Sequence, residues 1–70
     1  MPVTMSKMGE EVCIKKITGK VETRRFLENL GFISGTKIKV VSSLGGNLII
    51  HVKESRIALS KDMANRILVA

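Results

Sequence analysis

The sequence predicts a small, mainly β protein in which five short strands form a barrel and one helix is inserted after the first strand. Apolar residues alternate with polar ones in five short segments, and one further segment has a helical period. At 70 residues the chain has room for one core, so nearly every apolar side chain is needed for packing. A short five-stranded sheet leaves unpaired edges unless it closes, which favours a barrel. We expect one domain over residues 1–70.

The first strand is predicted at Glu11–Ile17. Val12 and Ile14 share one face there, and the two lysines that follow break the alternation as a β-bulge would. Thr18 and Gly19 come next, and each is a possible N-cap for the helix.

The segment VETRRFLENLGF has the period of an amphipathic helix of two to three turns. Phe26, Leu27 and Leu30 share one side, which we expect to face the core. Gly31 follows where a helix C-cap favours a left-handed residue, and Phe32 is placed to fold back onto Leu27. We therefore expect both phenylalanines in the core.

Three more strands and a short final strand are predicted downstream. Their inward side chains are, in chain order, Ile38 and Val40; Leu48, Ile50 and Val52; Ile57 and Leu59; and Ile67 and Val69. Gly45 and Gly46 allow a tight reversal because glycine adopts positive φ at low steric cost. The corner at residues 53–55 has no glycine, so its turn type stays open. Ser60 is placed to cap one helical turn that ends at Met63.

Composition restricts the partners and the compartment. Twelve Lys and Arg against six Asp and Glu give a net charge of +6, which favours nucleic acid, an anionic membrane surface or an acidic protein. No apolar run approaches the ~20 residues of a membrane span. A single cysteine, Cys13, excludes an internal disulfide and suits a reducing compartment. We expect a cytoplasmic protein.

The order of strand, basic helix, LGFISG, strand, glycine turn and RIALSKDMANRI resembles the FeoA family, small cytosolic proteins associated with the FeoB ferrous-iron transporter. The resemblance covers almost the whole chain. The residues that carry it are Arg25, Leu27, Leu30, Gly31, Gly35, Ile57, Ala58, Leu59, Ala64 and Ile67. It implies an SH3-like barrel, a module similar to the C-terminal domain of iron-dependent repressors of the diphtheria-toxin-repressor type.

The resemblance implies an accessory protein that binds the cytosolic part of FeoB and supports Fe(II) uptake, with no catalytic residue. The chain departs from the family pattern at two turns. Gly46 is followed by Asn47 where a proline is common, and Glu54 stands where a glycine is common. The loops at residues 43–47 and 53–55 are therefore left without a predicted conformation.

Neither catalysis nor metal binding is expected from the residues. The only histidine, His51, has no motif or spacing that ties it to Ser42 or Asp62 as an acid–base partner, so we do not expect an enzyme. Candidate metal ligands lack paired spacing such as Cys-x-x-Cys; they are Cys13, His51, Glu10 and Glu11. We expect no metal site and no cofactor.

A partner-binding surface is expected from the basic residues around the helix and two apolar residues beyond it. Its members are Lys15, Lys16, Lys20, Arg24, Arg25, Leu44 and Ile49, with Lys37 and Lys39 nearby in sequence. An acidic protein face would be steered onto such a surface. The same charges also suit the solvated positions of any amphipathic fold, and Ile33, Leu44 and Ile49 could equally support a homo-oligomer. A membrane would be met only through the transporter.

Nucleic-acid binding, alone or as a repressor-like module, is the main alternative. Single-strand binders stack bases on aromatic side chains, whereas this chain has two phenylalanines, both assigned to the core. No helix-turn-helix precedes the barrel. We therefore expect no nucleic-acid partner, and the lack of Tyr and Trp also disfavours proline-rich peptides.

Overall fold

A computed structural model describes all residues, 1–70, and has the predicted architecture. The strands are β1 (Glu11–Ile17), β2 (Lys37–Leu44), β3 (Asn47–Val52), β4 (Ser55–Ser60) and β5 (Ile67–Val69); the helices are α1 (Val21–Asn29) and α2 (Lys61–Ala64), preceded by a 3-10 helix at Val3–Met5. All strand pairs are antiparallel, in the order β4-β3-β2-β1-β5. The mainly β fold with five strands and one helix after the first strand is confirmed. The expected closure of the sheet edges is not seen, because β4 and β5 are the two outer strands and do not pair with each other.

The strand alternation is confirmed in all five strands. Their buried side chains are apolar, and the buried core as a whole contains no polar residue. Ile57 is only partly buried and packs against the edge of this core. The predicted bulge in β1 is present, because its pairing with β5 shifts register between Ile14 and Lys16. A second shift, between Val40 and Ser42 in β2, has no signal in the sequence pattern.

The C-terminal end of α1 has the predicted Schellman geometry. Gly31 has φ +106°. Its N–H donates to the Glu28 carbonyl at 2.9 Å, and the Phe32 N–H donates to the Leu27 carbonyl at 3.0 Å. Leu27 and Phe32 are both fully buried, so this ending fixes α1 to the barrel.

Phe26 corrects the sequence prediction, because its side chain is 51% exposed and lies outside the core. Of the nine residues of α1, only Leu27 is buried. Successive helix residues are about 100° apart around the helix axis. Because α1 contacts the barrel along one narrow line through Leu27, the side chain of Phe26 points away from the barrel. The period identifies the inner side of the helix, but it does not give the width of the contact.

The predicted helix caps are also wrong. The N-cap is Lys20, which makes no side-chain capping bond. The Thr18 hydroxyl instead donates to the Arg66 carbonyl at 3.3 Å. That carbonyl also accepts from the Thr18 N–H at 2.8 Å, so Thr18 extends the pairing of β1 with the segment before β5. Gly19 then turns the chain with φ +107°.

Both hairpin turns contain two residues. Gly45 and Gly46 have φ +58° and +82°, which matches the φ pattern of a type I′ turn. At the β3–β4 turn, Lys53 has φ +56° and is the only non-glycine residue with positive φ. Positive φ at the first central residue alone matches a type II′ turn, which usually has glycine there. Gly35, in the turn before β2, has φ +91°.

The N-terminal segment belongs to the core, which the sequence pattern did not indicate. Val3 is fully buried. Pro2 forms a bridge with Leu68, and the Val69 N–H donates to the Met1 carbonyl at 2.7 Å. The segment thereby covers the outer edge of β5. Both helices are too short and too polar to span a membrane.

Candidate protein-docking surface

The outer face of β2, β3 and β4 presents side chains in three cross-strand rows. The strand register gives the rows Lys39–His51–Arg56, Ser42–Ile49–Ala58 and Leu44–Asn47, the last continuing to Ser60. Residues directly opposite on neighbouring strands have Cβ atoms about 5 Å apart, so members of a row are neighbours. A basic row therefore lies beside an apolar one.

The apolar part of this face contains two of the predicted partner-binding residues. Ile49 is partly buried between Ser42 and exposed Ala58. Leu44, at the end of β2, is 74% exposed, which is the largest exposure of any large apolar side chain in the protein. Clustered exposed apolar side chains next to charge are typical of protein-binding surfaces.

The basic row places His51 between two cations, Lys39 and Arg56. Glu11 is opposite Lys39 on β1, but its carboxylate lies 3.9 Å from the Lys37 ammonium group. Lys39 and Arg56 are two strands apart, about 10 Å, so an anionic group bound over this row would interact favourably with both cations. Arg56 had no role in the sequence analysis, because only strand pairing brings it next to His51.

The remaining predicted residues are called the helix group. They are Lys15 and Lys16 on β1, Lys20 just before α1, and Arg24 and Arg25 on α1, and all are exposed. Glu22 and Glu28 also lie on α1 and balance its two arginines. The positive charge of the group therefore comes from its lysines. Arg66 adds to it, because a Cβ on Gly19 would lie 3.4 Å from the Arg66 Cδ.

Leu44 and the C-terminal end of α1 lie at opposite ends of β3. A Cβ on Gly31 would be 3.7 Å from the Val52 Cγ2, at the last residue of β3. Leu44 pairs with Asn47, the first residue. Along the strand these ends are about 17 Å apart at ~3.4 Å per residue. A partner that contacts both groups must span that distance.

Exposed apolar side chains extend the helix group. They are Val21 at 50%, Phe26 at 51% and Ile33 at 44% exposure. Aromatic residues are enriched among the few residues that dominate interface energies. Sequence reasoning missed Phe26 as a surface residue because it placed the residue in the core.

The candidate catalytic and metal-ligating residues are not brought together. His51 lies opposite Lys39 and Arg56, while Ser42 lies opposite Ile49 in the next row. No three side chains among His, Cys, Asp and Glu are grouped so that they could hold an ion. Cys13 is partly buried on β1 opposite Lys37, and the surface has no pocket.

Comparison with known proteins shows which family this chain belongs to and in which process that family takes part. The family model for the FeoA domain matches residues 1–70. The chain belongs to the FeoA family. Proteins of this family take part in ferrous iron transport. A relative from Methanocaldococcus jannaschii that is named Fe(2+) transport protein A is 37% identical over 68 residues. The match covers 97% of this chain and 83% of the relative.

Solved structures agree with the family assignment. A crystal structure of an iron uptake regulatory protein, FeoA, has a TM-score of 0.89 and 30% identity, over 99% of this chain and 92% of that one. FeoA of Stenotrophomonas maltophilia, described as a procaryotic SH3 domain protein and solved with zinc, has a TM-score of 0.87 and 24% identity, over 100% and 89% of the chains. This second likeness concerns the fold alone.

The predicted relation to repressor domains is confirmed at the level of fold. A manganese-dependent transcriptional repressor superimposes with a TM-score of 0.88 at 14% identity, over 99% of this FeoA-family chain and 40% of the repressor. The same barrel therefore occurs as one part of a longer regulatory protein.

Proposed function

We propose that the protein is a non-enzymatic, cytosolic accessory protein of ferrous iron uptake that docks on the cytoplasmic part of a FeoB-type transporter and modulates it. Membership of the FeoA family supports the pathway. The observation that carries the docking role is that apolar side chains reach the surface close to cations. Exposed Phe26 follows Arg25 on α1, and the row of partly buried Ile49 lies between exposed Leu44 and the basic row of Lys39.

The proposed contact surface comprises the helix group, extended by Phe26, and the sheet residues Leu44 and Ile49. With a net charge of +6, the protein favours an acidic partner face. Association is then steered by charge and slows as salt is added, while the apolar side chains supply affinity. We expect the glycines at 31, 35, 45 and 46 to affect docking only through backbone shape.

The test is an NMR titration of the isotope-labelled chain with its cognate transporter in lipid nanodiscs. Empty nanodiscs measure membrane contact, and a mixed RNA oligonucleotide tests the nucleic-acid alternative. Saturable broadening with the transporter alone, at α1 and at Leu44 and Ile49, supports the proposal. Salt-sensitive shifts with RNA alone would assign the protein to the nucleic-acid class.

Variants separate the two groups of the surface. Phe26→Ser and Leu44→Ser each remove an exposed apolar side chain, and Met5→Ser, at a side chain that is 70% exposed on the 3-10 helix, is the matched control. We expect the first two to weaken transporter binding and the control to leave it unchanged. Iron uptake by cells that express each variant then tests modulation. Unchanged binding for both test variants would contradict the proposed surface.

Self-association through the same apolar residues is tested separately by sedimentation. If the protein remains monomeric at high concentration, the surface does not serve self-association, and the transporter remains its proposed partner. A dimer that Leu44→Ser dissociates would instead assign the sheet residues to a homo-oligomer.

A further inference from the structure

The two outer strands of the sheet differ in how their free edges are covered. The edge of β5 is covered by the N-terminal segment, through the Pro2–Leu68 bridge and the bond from the Val69 N–H to the Met1 carbonyl. β4 pairs with β3 along all six of its residues, and no other strand or terminal segment pairs with it. The outer edge of β4 is therefore open.

The hairpin register identifies which backbone groups this edge presents. In a two-residue hairpin the pair next to the turn, here Val52 and Ser55, exchanges hydrogen bonds, and every second pair does the same. The Lys61 N–H, which donates to the Gly46 carbonyl at 3.3 Å, continues that alternation. The N–H and C=O groups of Arg56 and Ala58 therefore point away from β3, toward solvent.

The side chains along β4 define what could pair with this edge. Arg56 is the residue at the β4 end of the basic row, which continues through His51 to Lys39. Ala58 is the residue at the β4 end of the apolar row, next to Ile49. Between them Ile57 is partly buried and packs against the core from the inner face. An added strand would extend each of these rows by one residue.

We propose that the open edge of β4 is a docking site for an extended, acidic segment of a partner protein, which adds to the sheet as a sixth strand. The basic row favours a carboxylate opposite Arg56. The inner face favours an apolar residue opposite Ile57, and the apolar row a small or apolar residue opposite Ala58. Backbone bonds supply affinity in this mode of recognition, while alternate side chains supply specificity.

Charge decides between an acidic partner and a second copy of this chain. Two copies joined edge to edge through β4 would bring together two chains of net charge +6, each with a basic row that ends at this edge. An acidic segment instead neutralises Arg56 and its neighbours in the row. Charged side chains on edge strands also discourage uncontrolled pairing, so Arg56 selects against neutral or basic segments.

The inference rests on the proposed function only in taking the transporter as the source of the segment. The experiment therefore uses two probes. One is the cognate transporter in nanodiscs, and the other is a synthetic peptide in which every second residue is valine and the residues between them are alternately glutamate and alanine. Hydrogen exchange, read by mass spectrometry on the full chain, reports the amides of β4 with and without each probe. We expect protection of the Arg56 and Ala58 amides, by about tenfold or more, only when a probe is bound.

Two variants test the pairing and the charge. Ala58→Pro removes the outward N–H but no bond to β3, so it should abolish protection in a folded protein. Arg56→Glu, an exposed substitution that keeps the backbone intact, should weaken binding about five- to tenfold. Lys7→Glu changes the net charge equally on the exposed N-terminal segment and should have no such effect.

The outcomes separate this inference from the proposed function. Protection of β4 by both probes, lost in Arg56→Glu but kept in Lys7→Glu, supports both. Transporter binding with unchanged exchange at β4 in the presence of either probe overturns the edge site and leaves the proposed function standing. Protection by the peptide but not by the transporter supports the edge site and counts against the transporter as its partner. No binding of either probe overturns both.

Discussion

The two phenylalanines test which parts of α1 belong to the core. Phe32 is fully buried, and Phe→Ala in a core costs about 3–5 kcal/mol. A 70-residue domain has a free energy of unfolding of about 4–10 kcal/mol at 0.05–0.15 kcal/mol per residue. Phe32→Ala should therefore remove from about a third of the stability to all of it.

Phe26→Ala should cost much less, because the Phe26 side chain is already 51% exposed. Half of the ~1.5–3 kcal/mol for burying a large apolar side chain is about 1 kcal/mol. Alanine recovers about 0.5 kcal/mol through its higher helix propensity. The expected net loss is about 0.5 kcal/mol, or a fall in Tm of about 2–4 °C.

Urea unfolding followed by circular dichroism measures both variants against the parent protein. Equal slopes of unfolding free energy against urea confirm that the variants change stability rather than the denatured state. If Phe32→Ala does not fold, Phe32→Leu, expected to cost less than about 1.5 kcal/mol, keeps the comparison measurable. A loss from Phe26→Ala as large as that from Phe32→Ala would refute the placement of α1.

Four further substitutions test the turns and caps, each by the urea midpoint of unfolding. Lys53→Gly should stabilise the protein by about 1 kcal/mol, because glycine adopts φ +56° without the strain of a side chain; a destabilised variant would contradict this. Ser60→Ala should cost about 0.5–1 kcal/mol, since it removes the 3.3 Å bond that the Ser60 hydroxyl accepts from the Met63 N–H; no loss would show that the cap is unimportant. Gly31→Ala should cost about 1–3 kcal/mol at φ +106°, more than Gly45→Asn at φ +58°, and equal costs would contradict the conformational argument.

The strands and their inner faces could be predicted because side-chain alternation is a local property. Each strand needs only its own residues to show which face is apolar, and burial of Ile38, Ile50 and Ile67 follows. The ending of α1 was predictable for the same reason, since Gly31 and Phe32 act within one helical turn. The Thr18 and Gly19 caps failed because Thr18 bonds to Arg66, 48 residues away in the chain.

The candidate surface was only partly accessible from sequence. Alternation placed Leu44 and Ile49 on the outer face, and composition indicated a basic protein. The row that joins Lys39, His51 and Arg56 needs the register of two hairpins, and the bulge in β2 alters that register. A one-residue shift changes every neighbour in a row, so composition alone does not give the row.

Patterns within the chain were enough to predict the strands, the helix, the glycine turns and the FeoA family, and the family resemblance implied the SH3-like fold. Each of these depends on residues that are close together in the chain or on a pattern over its whole length. Three properties appear only in the folded chain: Phe26 is exposed, Val3 is buried and β4 has an open edge. Those properties depend on how distant segments pack and pair, because burial and edge exposure are set by the neighbour that lies across the core or across the sheet.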